Sequence, residues 1–218
     1  MITKEVQDYI EELIPDRDPR IMEIEEYAKE HSVPIMELVG IEALLQHLRI
    51  IQPKKILEVG TAIGYSAIRM AEAVPDASIV TIEKDPERYE LAVANIKELG
   101  FTDRITVLQG DANELAAEAE KHAPFDVVFI DAAKGQYQRF FENYGRQLRP
   151  KGIMISDNIL FKGYVADDSE VETRRLASLV RKIRSYNEFL MNHEEYTTAI
   201  LPVGDGLAIS MKKDKEQR

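Results

Sequence analysis

The sequence predicts an α/β protein built on an open, mostly parallel sheet, and three observations carry that expectation. From residue 54 onward, short β-compatible apolar runs alternate with helical patterns, the order that yields parallel strands joined by crossover helices. The alternation ends in TTAILPVG and GLAISMKK, two strand patterns joined at Gly204-Asp205-Gly206, a hairpin signal. Ahead of both lies Ile56–Ser66, ILEVGTAIGYS, which reads as strand, tight turn and helix start. Parallel strands need covering on both faces.

The elements follow from punctuation and periodicity. Residues 3–14 carry Val6, Tyr9, Ile10, Leu13 and Ile14 at helical spacing, and Pro15 stops the pattern. Residues 20–30 repeat it with Ile21, Ile24, Tyr27 and Ala28, and a third helix follows Pro34 through Leu38, Ile41, Leu44, Leu45 and Leu48. Residues 1–50 thus form a helical cap before a core spanning 54–212, in a single domain of residues 1–218. The expected strands are Lys55–Val59, Ser78–Glu83, Ile105–Gln109, Asp126–Ile130 and Gly152–Ser156. Asp85 caps the helix after the second strand, Pro86 suits its first position, and Gly100 ends it. Tyr137, Phe140, Phe141 and Tyr144 mark a helix after the fourth strand, their spacing favouring core packing, and residues 170–191 read as a long helix.

Composition excludes several classes of function. Cysteine is absent, which removes disulfides, thiolate zinc sites and a cysteine nucleophile and fits a cytoplasmic location. No apolar run approaches the ~18 residues of a membrane span, and the N-terminus alternates charged with apolar residues, unlike a secretion signal. A net charge of −11 weighs against general nucleic-acid affinity, though a local basic patch could reverse that. The C-terminal KKDKEQR is the one stretch expected to be disordered. No G-x-S-x-G elbow or P-loop is present, so acyl transfer and NTP hydrolysis have no support.

The chemistry gathers where strands end, since ligands of open α/β sheets bind beyond the strands' carboxyl ends. Gly60 and Gly64 suit a turn that a ligand approaches closely. Their G-x-x-x-G spacing lacks the middle glycine of a pyrophosphate site, and acidic Glu58 lies close by. Both features favour a nucleoside without phosphate. Glu83 ends the second strand, where a carboxylate can accept from both hydroxyls of a ribose, and Asp111 follows the third. Asp131 ends the fourth strand and Asp157-Asn158 the fifth. Singly, each reads as readily as a turn former or helix cap. Together, two carboxylates and an amide from neighbouring strands suit a hard cation such as Mg²⁺, Mn²⁺ or Ca²⁺. His31, His47, His122 and His193 show no ligand spacing. Arg174, Arg175, Arg181, Lys182 and Arg184, with Lys162, form a basic patch that could meet phosphates, although Asp167, Asp168, Glu170 and Glu172 precede it.

In this order and spacing, EVGTAIGYS, TIEKD, GDA, FIDAAKGQY and SDNILFKG resemble the cation-dependent O-methyltransferases of the caffeoyl-CoA and catechol type, which are class I S-adenosylmethionine enzymes. The similarity runs from about Val33 to Met211. Within that family, VPIMELVG, DAAKGQYQ, DNILFKG and MNHEEYTTAILPVGDGLAIS look most like the bacterial tRNA 5-hydroxyuridine methyltransferases, which make 5-methoxyuridine at the anticodon wobble position. The resemblance implies a Rossmann-like class I methyltransferase fold, a seven-stranded mostly parallel sheet with a terminal antiparallel hairpin and an N-terminal helical cap. It places the methionine part of S-adenosylmethionine near Met36, Gly60 and Ser66, with Glu58 beside them, the ribose at Glu83 and the adenine beside Asp111 and Ala112. Asp131, Asp157 and Asn158 become ligands of Mg²⁺ or another hard divalent cation, Asp131 also lying close to the cofactor, and Lys134 takes the place of the general base. Plant-type members commonly read DADK-x-N-Y where this chain has Ala133 and Gln136, which disfavours a plant-like phenolic ester.

A chelating cation orients two neighbouring oxygens and acidifies the attacking hydroxyl, whose partner is the electrophilic methyl of the sulfonium. Catechols offer two such oxygens, and 5-hydroxyuridine offers O5 beside O4 in the same five-membered chelate. The expectation is therefore a homodimer, joined through its N-terminal helices or terminal hairpin, that methylates tRNA. A small-molecule catechol O-methyltransferase is the alternative. A silent RNA-binding protein would have no use for Asp131, Lys134, Asp157 and Asn158 together.

Overall fold

The computed structural model describes residues 3–214, so the last four residues of KKDKEQR lie outside the described residues. Three helices, α1 (Lys4–Leu13), α2 (Pro19–Glu30) and α3 (Leu38–Ile51), precede β1 (Lys55–Val59). Then come α4 (Tyr65–Ala73), β2 (Ser78–Glu83), α5 (Pro86–Glu98), β3 (Ile105–Gln109), α6 (Ala116–Glu120) and β4 (Phe125–Ile130). The chain continues through α7 (Tyr137–Gly145), β5 (Leu148–Ser156), α8 (Arg174–Met191), β6 (Tyr196–Leu201) and β7 (Leu207–Lys212). No helix among the described residues is long and apolar enough to cross a membrane.

The described strands form one seven-stranded sheet in the order β3-β2-β1-β4-β5-β7-β6. β1 to β5 pair in parallel, β7 runs antiparallel to both β5 and β6, and so β7 alone is reversed. Alternate side chains leave each strand on opposite faces. Ile56, Ile79, Val127 and Ile155 meet the core built by α2 to α5, while Leu57, Val80, Val128 and Met154 meet the aromatic core under α7 and α8. Tyr137, Phe140, Phe141 and Tyr144 are all buried in that second core, as their spacing predicts.

The expected boundaries hold with three differences. β5 starts at Leu148 rather than Gly152, because Leu148 pairs with Phe125 before an irregularity shifts the register to Val127 and Ile153. β4 gains Phe125 for the same reason. α8 begins at Arg174, not at residue 170, since the Thr173 hydroxyl caps it by accepting from the Leu176 amide at 3.1 Å. In the cap, α2 and α3 contribute Ile21, Ile24, Ile41, Leu44 and Leu48 to the core. α1 buries none of its residues, and Val6, Tyr9 and Leu13 are exposed.

The cap is tied to the core by charge as well as by apolar packing. Arg69 of α4 is buried, its guanidinium paired with Glu42 of α3, 3.7 Å from Glu25 of α2 and 3.0 Å from the Tyr65 hydroxyl. Tyr65 in turn donates to Glu25 at 2.8 Å, and Arg17 grips the same carboxylate through two hydrogen bonds. Removing a buried cation strands its partners without compensation. Arg69→Met should therefore cost about 3–5 kcal/mol of folding stability, read as a lowered urea midpoint, while exposed Arg175→Met should change it by less than about 0.5 kcal/mol.

Candidate functional site

The sheet's connections reverse direction between β1 and β4, and a cavity of about 950 Å³ opens there beyond the strands' carboxyl ends. The strand ladder itself sets the positions of its walls. The amides of Gly60, Asp131 and Asp157 donate to the carbonyls of Ile82, Val59 and Ile130 at 3.0–3.1 Å, so each loop leaves the sheet in register with its neighbour. Met36, Gly60, Ser66, Glu83, Asp111, Ala112, Asp131, Lys134, Asp157 and Asn158 all line this one cavity.

Gly60 has φ +107°, and a Cβ built on it would stand 2.0 Å from the Asp131 carbonyl oxygen. Only glycine allows β1 and β4 to end this close together. After it, the Ala62 amide donates to Glu83 Oε2 and the Asp85 amide to Glu83 Oε1, both at 2.8 Å. Glu83 is thereby held by two backbone donors while its carboxylate still faces the cavity, suited to a ribose diol. Asp111 accepts from the Asn113 amide at 2.9 Å and from Lys84 Nζ at 2.6 Å, which hold its carboxyl down at about 2. A charged acceptor therefore stands at the cavity edge at every physiological pH.

Glu58 is the exception and corrects the sequence reading. It is 0% exposed and does not line the cavity. It shares the α4-facing side of β1 with Ile56, and its two oxygens accept from the Ser66 and Thr81 hydroxyls at 2.5 Å. Thr61 meets the Thr81 hydroxyl at 2.5 Å and extends the chain. Glu58 thus acts behind the wall by holding Ser66, not as a direct contact. Burial pushes its carboxyl up to about 7 against the two hydroxyl donors.

Asp131, Asp157 and Asn158 meet as the sequence predicts. Asn158 Nδ2 lies 2.8 Å from Asp157 Oδ2 and 3.2 Å from Asp131 Oδ1, bridging the two carboxylates. Burial raises the pKa of both, and the charge of Asp131 raises Asp157 further. Among the described residues no set of three His, Cys, Asp or Glu side chains forms a metal cluster, so the donors here are two carboxylates and an amide. Two mutually repelling carboxylates, Asp157 buried and Asp131 half-buried, beside a neutral amide fit a hard divalent cation, which would reverse the unfavourable field. The Tyr137 hydroxyl, read from sequence only as core, is also buried without a hydrogen-bond partner in this region.

Lys134 lies on a 3₁₀ turn at the cavity wall, its Nζ 5.8 Å from the Phe161 ring centre. Tyr65, Gln136, Lys162, Gly204 and Asp205 also line the cavity. Asp205 had a sequence signal only as a hairpin residue. In the basic patch Arg174, Arg175, Arg181 and Lys182 are exposed, whereas Arg184 is engaged with Asp168 at 2.8 Å and with the carbonyls of Tyr164 and Val165. Arg184 therefore braces the preceding loop and does not belong to the available patch.

Comparison with known proteins shows the family and the fold. The sequence profile of the O-methyltransferase family matches residues 12–213. A catechol O-methyltransferase of Niastella koreensis is 30% identical over 222 residues, covering 97% of this chain and 98% of that protein. A Staphylococcus aureus crystal structure, provisionally assigned as a caffeoyl-CoA O-methyltransferase, superposes with a TM-score of 0.87 at 34% identity, covering 96% of this chain and 98% of the other. An O-methyltransferase from Bacillus cereus, solved in complex with SAH, gives 0.82 at 25% identity, with 96% and 97% covered.

The buried Glu58 makes stability depend on pH. Its folded pKa of about 7 exceeds the usual 4.5, so between those values the unfolded chain releases a proton that the folded protein keeps. Stability contributed by the neutral group is therefore lost as pH rises through that window, by about 3 kcal/mol in full. Glu58→Gln should gain most of that difference over wild type between pH 5 and pH 8, as measured by urea unfolding without divalent cations.

Proposed function

Because the chain belongs to the O-methyltransferase family, we propose that it transfers the methyl group of S-adenosylmethionine to one of two adjacent oxygens on a catechol-type acceptor, with a hard divalent cation at Asp131, Asp157 and Asn158. One observation carries this reading. A single cavity joins a glycine turn and an anchored Glu83, suited to a nucleoside, to a close pair of carboxylates suited to a cation. The SAH found in the Bacillus cereus relative and the catechol named for the Niastella koreensis relative support the same pairing.

The residues divide the work. Glu83 accepts from the ribose hydroxyls, and Asp111 and Ala112 border the adenine. Ser66, fixed by Glu58, and the Gly60 turn face the methionine part, with Met36 closing over it. S-adenosylmethionine supplies an electrophilic methyl, and a cation at the carboxylates supplies chelation and a more acidic hydroxyl. Lys134 receives the proton of that hydroxyl as its oxygen attacks the methyl and the sulfur–methyl bond breaks.

A second acceptor is favoured by one surface feature. Lys182 Nζ lies 3.5 Å from where a Cβ on Gly135 would stand, so the patch of Arg174, Arg175, Arg181 and Lys182 begins at the Lys134 wall. That adjacency suits a 5-hydroxyuridine presented by tRNA, whose phosphates would follow α8. The exposed Val6, Tyr9 and Leu13 of α1 provide the apolar face for the homodimer in the same proposal.

The test is methyl transfer from labelled S-adenosylmethionine with Mg²⁺ to a simple catechol and, separately, to tRNA carrying 5-hydroxyuridine. Catechol labelling establishes the first reading. Labelling confined to the tRNA, lost on reversing Arg174 and Arg175, moves the acceptor to the second. Asp157→Ala should lower turnover at least ~100-fold while S-adenosylmethionine still binds, and Lys134→Met should lower kcat ~100-fold with little change in cofactor affinity. Full activity in strong chelator would remove the cation.

A further inference from the structure

The loop that follows β5 carries an unusual backbone. Asn158, Phe161 and Lys162, none of them glycine, have φ of +61°, +46° and +56°, and Gly163 follows at +83°. Side-chain-bearing residues hold that left-handed conformation only where the surroundings over-determine it. Asn158 is one of the three residues that converge on the cation position, so whatever fixes this loop also fixes that residue.

The surroundings are the tip of the β6–β7 hairpin. The Ile159 amide donates to the Gly206 carbonyl at 3.1 Å and the Leu160 amide to the Asp205 carbonyl at 2.9 Å. The Lys162 amide then donates to the Asp205 side chain through Oδ1. A Cβ on Gly206 would stand 2.4 Å from Leu160 Cγ and 2.9 Å from the Leu160 amide nitrogen, so the two segments lie in direct contact. Of these three bonds, two use backbone carbonyls that any sequence provides. The third depends on the side chain of Asp205, which is half-buried at the cavity wall.

We infer that Asp205 is a positioning residue for the cation site: its Oδ1, by holding the Lys162 amide, locks the left-handed loop and thereby the orientation of Asn158. This rests on the cation reading above. It assigns Asp205 no contact with cation or acceptor. The group that matters is a hydrogen-bond acceptor, not a charge, so asparagine should replace it and alanine should not. Residues that orient ligands in this indirect way typically shift metal affinity ~10–100-fold when removed.

The experiment titrates wild type, Asp205→Ala and Asp205→Asn with Mn²⁺, following the loss of the free-ion paramagnetic signal, and measures amide hydrogen exchange at Lys162. Asp205→Ala should weaken Mn²⁺ binding at least ~10-fold and speed exchange at Lys162, Asp205→Asn should stay within about twofold of wild type in both, and S-adenosylmethionine affinity should be unchanged in all three. Unaltered Mn²⁺ affinity in Asp205→Ala overturns the inference, even if exchange speeds up. An asparagine variant as weak as the alanine one overturns it too, by assigning the effect to the carboxylate charge. Wild type that takes up no Mn²⁺ removes the cation reading and this inference with it, an outcome recognised before either variant is compared.

Discussion

The contact on which the molecule depends is the one between the end of β1 and the end of β4. With no side chain at Gly60, the Asp131 carbonyl sits where a Cβ would otherwise be. The same closeness puts the Gly60 turn and the Asp131 carboxylate into one cavity. From there the ladder carries the register outward, to Glu83 on one side through Ile82 and to Asp157 on the other through Ile130. Distances between chemical groups that belong to different loops are therefore set by backbone hydrogen bonds in the sheet. A parallel sheet is rigid, and sites built on its ends inherit that rigidity.

That placement concentrates unfavourable electrostatics. Glu58 and Asp157, both buried, and the half-buried Asp131 are acids whose ionisation is opposed by the surrounding protein. Glu58 is supported by hydroxyl donors within the fold, whereas the Asp131–Asp157 pair has an amide and the more distant Lys134. The difference separates their roles. Glu58 finds its partners within the fold, whereas the aspartate pair keeps an unfavourable field that the proposed cation would relieve. Opposing this cost are two apolar cores, one on each face of the sheet, and the Arg69 cluster that fastens the helical cap.

Much of this was legible in the sequence because it is local. Asp85-Pro86 and Gly100 delimit a helix by capping chemistry, and the structure shows Asp85 accepting from the Glu87 and Arg88 amides. The strand ends carried their polar residues in the open, and ten of the eleven expected residues line one cavity. Glu58 was misplaced, although strand parity pointed the right way: two residues after Ile56 it must share the face that α4 covers. The rest depended on contacts distant in sequence. Nothing near Arg69 announces Glu42 or Glu25, and nothing near Asp205 announces Lys162. Arg184 likewise counted as a surface cation until the loop carbonyls of Tyr164 and Val165 were seen to occupy it.

The strand order at the far edge bears on how the protein comes to be made. β6 leaves the ribosome before β7, yet its neighbour in the sheet is β7, which lies between it and β5. During synthesis β6 therefore has no edge to join until β7 has followed it. The cavity walls carried by β1 to β4 can be in place while the wall containing Gly204 and Asp205 is still missing. A chain halted inside the hairpin would leave the cavity open on the side that Gly204 and Asp205 close, so the wall is finished by a segment made after the sheet it leans on.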